Sequence, residues 1–394
     1  MQVQHTSLWL GLPDLQITNV TQATDGTLLV WVQGTATGAE CPKCCAWTDR
    51  VHQRRRQAVN DLPAHGCAVL LLLTRRRWRC GNCDHVFAEV LPSVGRYQRM
   101  TVRYEASLYR SLRRRPTTAV AQDEQLGSGR LQRILERRGD QEAARPPAAP
   151  RFVGVDEFAA KRGHVYNTVF ADLETHRIVE VVETREIKPV REYLKTLAAS
   201  VEAVAIDLSE PYRKAVRQAL PDVVIVADKF HVIRLAQWAL NAVRRCVRKA
   251  LKGDRSHAIW RKRWVLLRNF EDVPASQQPH LFELLRLSRE LRLAYAAKEC
   301  LRRWYRTCTP ENAVVRLDRL LGQWLTSLVP ELQKLAITFR YWQTEICNYA
   351  TVRISNSITE GLNNKIKVTK RQAYGFQSFT NFRRKILLAT RFSS

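Results

Sequence analysis

The sequence predicts an α/β fold for the main part of this chain, preceded by a small metal-held domain and a helical region. Three observations carry that expectation. Two Cys-x-x-Cys pairs bracket a basic, β-rich segment near the N-terminus, and three β-rich runs followed by strand–helix alternation occupy residues 152 to 226. After His231 the chain is helical almost to its end. Three antiparallel strands and then β-α-β-α is the order of a ribonuclease-H-like domain, here interrupted by an all-helical insertion.

Composition narrows the partner before any motif is read. Lysine and arginine number 64 against 37 acidic residues in 394, a formal net charge of +27. An excess of that size calls for a polyanion, and nucleic acid leads. No window reaches the roughly 18 apolar residues of a membrane helix. The N-terminus also lacks a basic region followed by an apolar one, so a cytoplasmic, nucleoid-associated protein with no membrane role is expected. In a reducing cytosol the ten cysteines are read for metal binding before disulfides.

Residues 1–98 read as short strands and turns. Leu28 to Val32 is an apolar run after Asp25-Gly26, and Ala68 to Leu73 leads into Arg75-Arg76-Arg77. Cys41-Pro42-Lys43-Cys44 and Cys80-Gly81-Asn82-Cys83 each place two thiolates on one tight knuckle. Together they supply the four soft ligands of a closed tetrahedral zinc site, so a structural Zn²⁺ ribbon is predicted. His85 is a weaker alternative ligand, and Cys45 and Cys67 are spare.

Residues 99–145 carry the next element. From Thr101 to about Arg138 the pattern is helical, and Ala121, Leu131 and Ile134 have the apolar spacing of a helix-turn-helix. Arg130, Arg133 and Arg137 lie on its second helix and are candidate DNA contacts. Gln125 stands where a small turn residue is usual, and a plain helical hairpin with solvated arginines is the alternative. Gly139 to Pro150, charged and rich in Pro and Ala, reads as a linker.

The catalytic domain is expected over 146–235 and again over 341–394. Its first part holds strands at Phe152 to Phe158, His164 to Ala171 and Arg177 to Val182, joined by the turns Lys161-Arg162-Gly163 and Asp172 to His176. A helix from about Pro189, the strand Ala203 to Ile206, a helix from Pro211 and the strand Val223 to Val226 follow. Residues 236–340 interleave tryptophan with arginine (Trp238, Arg244, Arg245, Arg248, Trp260, Arg263, Trp264). They read as the helical insertion, its basic residues suited to phosphate contacts.

Asp156 lies in the first strand and Asp207 ends the fourth, in neighbouring strands about 4.8 Å apart. Glu157 must face the other way, since strand side chains alternate. Carboxylates among Val and Ile need partners, and divalent metal supplies them: two Mg²⁺ (or Mn²⁺) ions roughly 4 Å apart would serve phosphoryl displacement. Glu360 is the candidate third carboxylate, on a helix whose other face aligns Asn364, Lys367 and Arg371 for phosphate contact. On local sequence Ser357-x-x-Glu360 reads equally as a capping box.

These residues carry a resemblance. Gly154-Val155-Asp156-Glu157, Ile206-Asp207-Leu208-Ser209, Asp228-Lys229-Phe230-His231 and above all Glu360-Gly361-Leu362-Asn363-Asn364-Lys365-Ile366-Lys367, followed by Arg371 and Ala373-Tyr374-Gly375-Phe376, closely resemble the DDE transposases of the ISL-three group of bacterial insertion sequences. Cys45 departs from the family pattern, where a glycine looks more usual. The resemblance implies a catalytic triad of Asp156, Asp207 and Glu360, with Asp228 and His231 in support. It also implies an enzyme that, as a homo-oligomer on double-stranded DNA, binds the terminal inverted repeats of its element, cleaves their 3′ ends and joins them to target DNA. A structure-specific nuclease on the same fold and a DNA-binding regulator without catalysis are the competing expectations.

Overall fold

Leu28–Gly34 buries Val30 and Val32 and leaves Leu29 and Trp31 half-covered, the period-two pattern of a strand with one face in a core. In the computed structural model, which describes residues 10–95, 97–143, 149–161, 165–373, 376 and 378–391, this strand (β2) belongs to the first of two compact units, Met1–Ala144 and Arg145–Ser394. Its sheet runs β1 (Leu15–Gln22), β2, β6 (Cys67–Arg79), β5 (Val51–Ala64), with β7 (Val86–Ala88) also paired to β6. A separate hairpin joins β3 (Ala39–Glu40) to β4 (Trp47–Thr48).

The strand expected to stop at Leu73 extends through the arginines to Arg79, where Arg75, Arg76 and Arg77 face Arg55, Arg54 and Gln53. Arg76 can sit in that ladder because Glu89 pairs with it and its guanidinium stacks on Trp78 at 4.6 Å. His65 and Gly66 close the β5–β6 hairpin at φ +52° and +77°, the left-handed pair a two-residue turn requires.

Three helices complete the unit: α1 (Val102–Arg114), α2 (Thr117–Asp123) and α3 (Ser128–Ala143). Thr101 caps α1, accepting from the Tyr104 N–H at 3.2 Å, and its hydroxyl donates to buried Asp61 of β5 at 2.6 Å. Leu108, Leu112, Val120, Leu131 and Ile134 are buried. Gln125, between α2 and α3, adopts φ +51°, the left-handed position that a turn glycine would take. Helix α3 runs past Gly139, where a linker was expected, because Tyr109 of α1 donates to Glu142 at 2.8 Å and docks its last turn. Residues 144–148 of that expected linker lie outside the described residues.

The second unit is built on a sheet of order β10-β9-β8-β11-β12. β8 (Phe152–Lys161), β11 (Ala203–Ile206) and β12 (Val224–Ala227) are parallel to one another. β9 (Val165–Asp172) and β10 (Arg177–Val182) continue antiparallel from β8. The expected turn at Arg162-Gly163, and His164, lie outside the described residues. On one face Val153, Val155, Val204 and Ile206 pack with Val190 and Leu194 of α4 (Ile187–Lys195) and Val216 of α5 (Glu210–Ala219). On the other, Phe158, Val169 and Ala171 receive Leu362 and Ile366 of α14 (Ser357–Gln372) and Phe382 and Ile386 of α15 (Phe379–Arg391). Tyr374 and Gly375, between those helices, lie outside the described residues.

Helix α6 (Lys229–Ala250) follows β12 directly and crosses the boundary expected at residues 235–236 without a break. Val232, Ala236, Leu240 and Val243 form its buried stripe, and the core beneath the sheet continues through them to Leu291, Leu301, Leu321 and Phe339. The helices beyond α6 (α7 Gly253–Arg261, α8 Arg263–Leu267, α9 Gln278–Arg286, α10 Arg289–Thr307, α11 Ala313–Leu325, α12 Pro330–Tyr341 and α13 Gln343–Cys347) therefore share one core with the sheet. No helix among the described residues is long and apolar enough to cross a membrane.

Candidate active site

Parallel pairing sets Val155 beside Ile206 and Ile206 beside Ala227. Asp156, Asp207 and Asp228 each follow by one residue. Alternation then puts all three carboxylates on one face, at the C-terminal ends of three adjacent strands. That face is the one covered by α14. Glu157 turns to the opposite face, 3.8 Å from Arg185.

Burial first, and then the charge of Asp207, push the Asp156 carboxyl up to about 7. Asp228 is buried and caps α6, accepting from the His231 N–H at 3.3 Å and lying 2.7 Å from its Nδ1. Its other oxygen accepts the Asn356 N–H at 2.9 Å. Nε2 of His231 is 2.9 Å from Asp207. Burial opposes the charged form of His231, but hydrogen bonds to Asp207 and Asp228 outweigh it and carry the pKa up to about 9. Asp207, Asp228 and His231 offer ligand atoms within 4.8 Å of one another.

Two residues that the sequence reading missed fasten α14 over the strand ends. The Asn356 amide donates to the Val155 carbonyl, and that of Asn363 to Asp156, each at 2.9 Å. Gly154 makes the approach possible, since a Cβ there would lie 2.4 Å from Asn356 Oδ1 and 2.8 Å from Leu173 Cδ2. A glycine inside an apolar strand is the signal that could have found this contact. Oδ1 of Asp207 and Oδ1 of Asn363 are buried without a hydrogen-bond partner among the described residues.

Glu360 is exposed on the first turns of α14. It lies one turn after Asn356 and just short of one before Asn363, on the rim of the face that meets β8. It is not one of the side chains gathered with Asp207 within 4.8 Å. The capping-box alternative fails on register: Asn356 is the N-cap and Ser357 the first helical residue. Asn364, Lys367 and Arg371 are all exposed and continue the Glu360 face along the helix.

In the first unit the sulfurs of Cys41, Cys44, Cys80 and Cys83 lie within 4.8 Å of one another, with Cys41–Cys83 and Cys44–Cys80 both at 3.5 Å. Tetrahedral zinc with bonds of about 2.3 Å needs sulfurs about 3.8 Å apart, so this donor set fits structural zinc. His85 instead stacks on Phe87, centroids 6.1 Å apart. Cys45 and Asp84 each follow a knuckle and share left-handed φ values of +56° and +57°, which explains why glycine suits the first of these positions. On α3, Arg133 is exposed and Arg130 half-buried. Arg137 is exposed too, and its guanidinium pairs with Glu105, which also holds Arg138 at 2.7 Å.

Comparison with known proteins meets this geometry. A family model of ISL3 DDE type, described as transposase, matches residues 153–386. The helix-turn-helix domain of transposase family ISL3 matches residues 89–139, and the zinc-finger of transposase IS204/IS1001/IS1096/IS1165 matches 37–83. The chain is 30% identical over 372 residues to the transposase for insertion sequence element IS1001 of Bordetella parapertussis, covering 92% of this chain and 91% of that protein. It is 26% identical over 255 residues to the transposase for insertion sequence element IS1557 of Mycobacterium tuberculosis, 58% of this chain and 57% of that one.

Proposed function

Because the chain belongs to the ISL3 family of DDE transposases, we propose that Asp156, Asp207 and Glu360 hold the divalent ions with which it cuts and joins DNA. The observation that carries this reading is the pair of same-face carboxylates, Asp156 raised to about 7 by burial and by Asp207. Such a pair is stabilised by a shared cation. The strand order and the return of a Glu-bearing helix to the first strand support a ribonuclease-H-like domain with residues 236–340 as its helical insertion.

Two ions, Mg²⁺ or Mn²⁺, would when bound lower the pKa of the attacking water or 3′-hydroxyl and stabilise the leaving oxygen. Asp228 and His231 are positioning residues: the buried Asp228 orients the imidazole, whose Nε2 fixes one oxygen of Asp207. Asn363 does the same for Asp156. Glu360 would supply the third carboxylate from the rim of α14, and Asn364, Lys367 and Arg371, on the same exposed face, would contact the phosphates flanking the cut. Hydrolysis frees a 3′-hydroxyl at the element's end. That hydroxyl then attacks a target phosphodiester and displaces the target's own 3′-oxygen.

The zinc ribbon and the helix-turn-helix, with Arg130 and Arg133 on its second helix, bind the terminal inverted repeats in double-stranded DNA. Joining two ends requires a homo-oligomer on the DNA, within the cytoplasm. The test is incubation with Mg²⁺ and a labelled duplex carrying the element's end. Asp156→Ala, Asp207→Ala and Glu360→Ala should each lower 3′ nicking by about a thousandfold or more while end binding persists. Normal cutting by Glu360→Ala would remove it from the triad, and binding without cutting by the unaltered protein would favour a regulator.

A further inference from the structure

Helix α6 leaves the carboxylate site at His231 and carries an exposed stripe that its packing does not explain. Phe230, Arg234, Trp238, Arg245 and Arg248 are all exposed and recur at spacings of four, four, seven and three, which keeps them on one side of a helix. Trp238 is 58% exposed with Arg234 over its ring at 5.3 Å. Trp264 of α8 is 61% exposed with Arg263 over its ring at 4.9 Å. Large rings left in water beside cations are a costly way to fill a surface unless something stacks on them.

Beside this stripe sits Arg244, only 7% exposed. Its Nε donates to Asn241 Oδ1 at 2.9 Å, but its Nη1 is buried without a partner. The charges that act on it are those of Arg263, Arg245 and Arg248, which, after burial itself, hold its pKa below the ordinary arginine value. A buried guanidinium under the charge of three more is self-repelling, and among the described residues no anion balances it. The nearest partner of the neighbouring Cys246 is Glu331 at 3.6 Å, on the other flank of the helix.

We infer that the outer face of α6 binds an unpaired DNA strand, one phosphate held by Arg244, Arg245, Arg248 and Arg263 and an adjacent base stacked on Trp238. The inference rests on the transposase reading and deepens it. Duplex DNA would satisfy the arginines but keeps its bases stacked inside, leaving the tryptophan idle; an unpaired strand satisfies both. Trp238 stands about 10 Å along the axis from His231, so a strand on this face leads to the carboxylates.

The experiment uses the full chain and two fluorescent probes, an oligothymidylate of about twelve nucleotides and a duplex of the same length. Trp238→Ala should weaken oligothymidylate binding about 5- to 100-fold and leave duplex binding unchanged, while Trp238→Phe retains most of the affinity. Arg245→Ala with Arg248→Ala should reduce the slope of log K against log salt for the strand by about 1.4, two contacts at about 0.7 each. Unaltered oligothymidylate binding by Trp238→Ala, or equal losses on strand and duplex, overturns the inference. If the parent protein binds duplex but not oligothymidylate, this site alone fails. If it binds neither, the DNA-binding reading fails with it.

Discussion

Asp156 and His231 make the metal-free site sensitive to pH in a defined direction. Asp156 stands at about 7 against an ordinary 3.8, so the folded form holds its proton more tightly than the unfolded chain. That contribution to stability is complete in acid and fades as pH climbs from about 4 to about 7. His231, raised from 6.5 to about 9, contributes fully below 6.5 and loses its share on the way to 9. Without added divalent ions the protein should therefore melt at a lower temperature near pH 8 than near pH 6, with Mg²⁺ narrowing the gap by replacing the lost protons. Thermal melts at the two pH values, with and without Mg²⁺, check this; a gap that Mg²⁺ leaves untouched would detach both residues from the metal. Cys45 offers an independent test. It is exposed and left-handed, so Cys45→Gly relieves backbone strain, less the extra entropy glycine has when unfolded. A gain of about 0.5 kcal/mol in urea unfolding is expected, and a loss would contradict the strain.

Among the elements, the junction of β8 with α14 depends on an absent side chain. Gly154→Ala pushes a methyl against Asn356 and Leu173, which must part α14 from the strand carrying Asp156. The variant should keep its DNA affinity and lose nicking at least tenfold; full activity would mean the helix position is not critical. The strands of the second unit and the Cys-x-x-Cys knuckles were legible because their signals are local, whereas β1 and β5 of the first unit were not read. Cys-x-x-Cys needs only one turn of chain, and β11, four apolar residues between polar neighbours, stands over Ala203–Ile206 as its sequence implies. The α14 contacts were not, because nothing near Asn356 or Asn363 in sequence indicates that they meet Val155 and Asp156. The expected boundary at 235–236 falls inside α6 (Lys229–Ala250) for a related reason. The apolar stripe of α6 buries against the sheet and the later helices alike, and sequence periodicity cannot say where one partner ends. The Arg137–Glu105 pair was not legible either, because the two residues lie on different helices.

Across the whole molecule, two units with separate cores predict two calorimetric transitions, of which only one should move when zinc is removed. A single transition that shifts as a block would contradict independent cores. The +27 charge makes duplex affinity steeply dependent on salt, each phosphate contact adding about 0.9 to the slope. The hydrogen bonds that close the carboxylate site span great lengths of chain: Asn356 reaches back 128 residues to Asp228, and Asn363 reaches 207 to Asp156. The zinc ribbon and helix-turn-helix precede the sheet in the chain, while the strand ends stay without their covering helix until Ser357–Gln372 has been made. A chain that stops short of that helix should thus keep the residues matched by the zinc-finger and helix-turn-helix families and lack the cover of its carboxylates. If the proposed end binding holds, such shortened chains would compete with the whole protein for the element's ends.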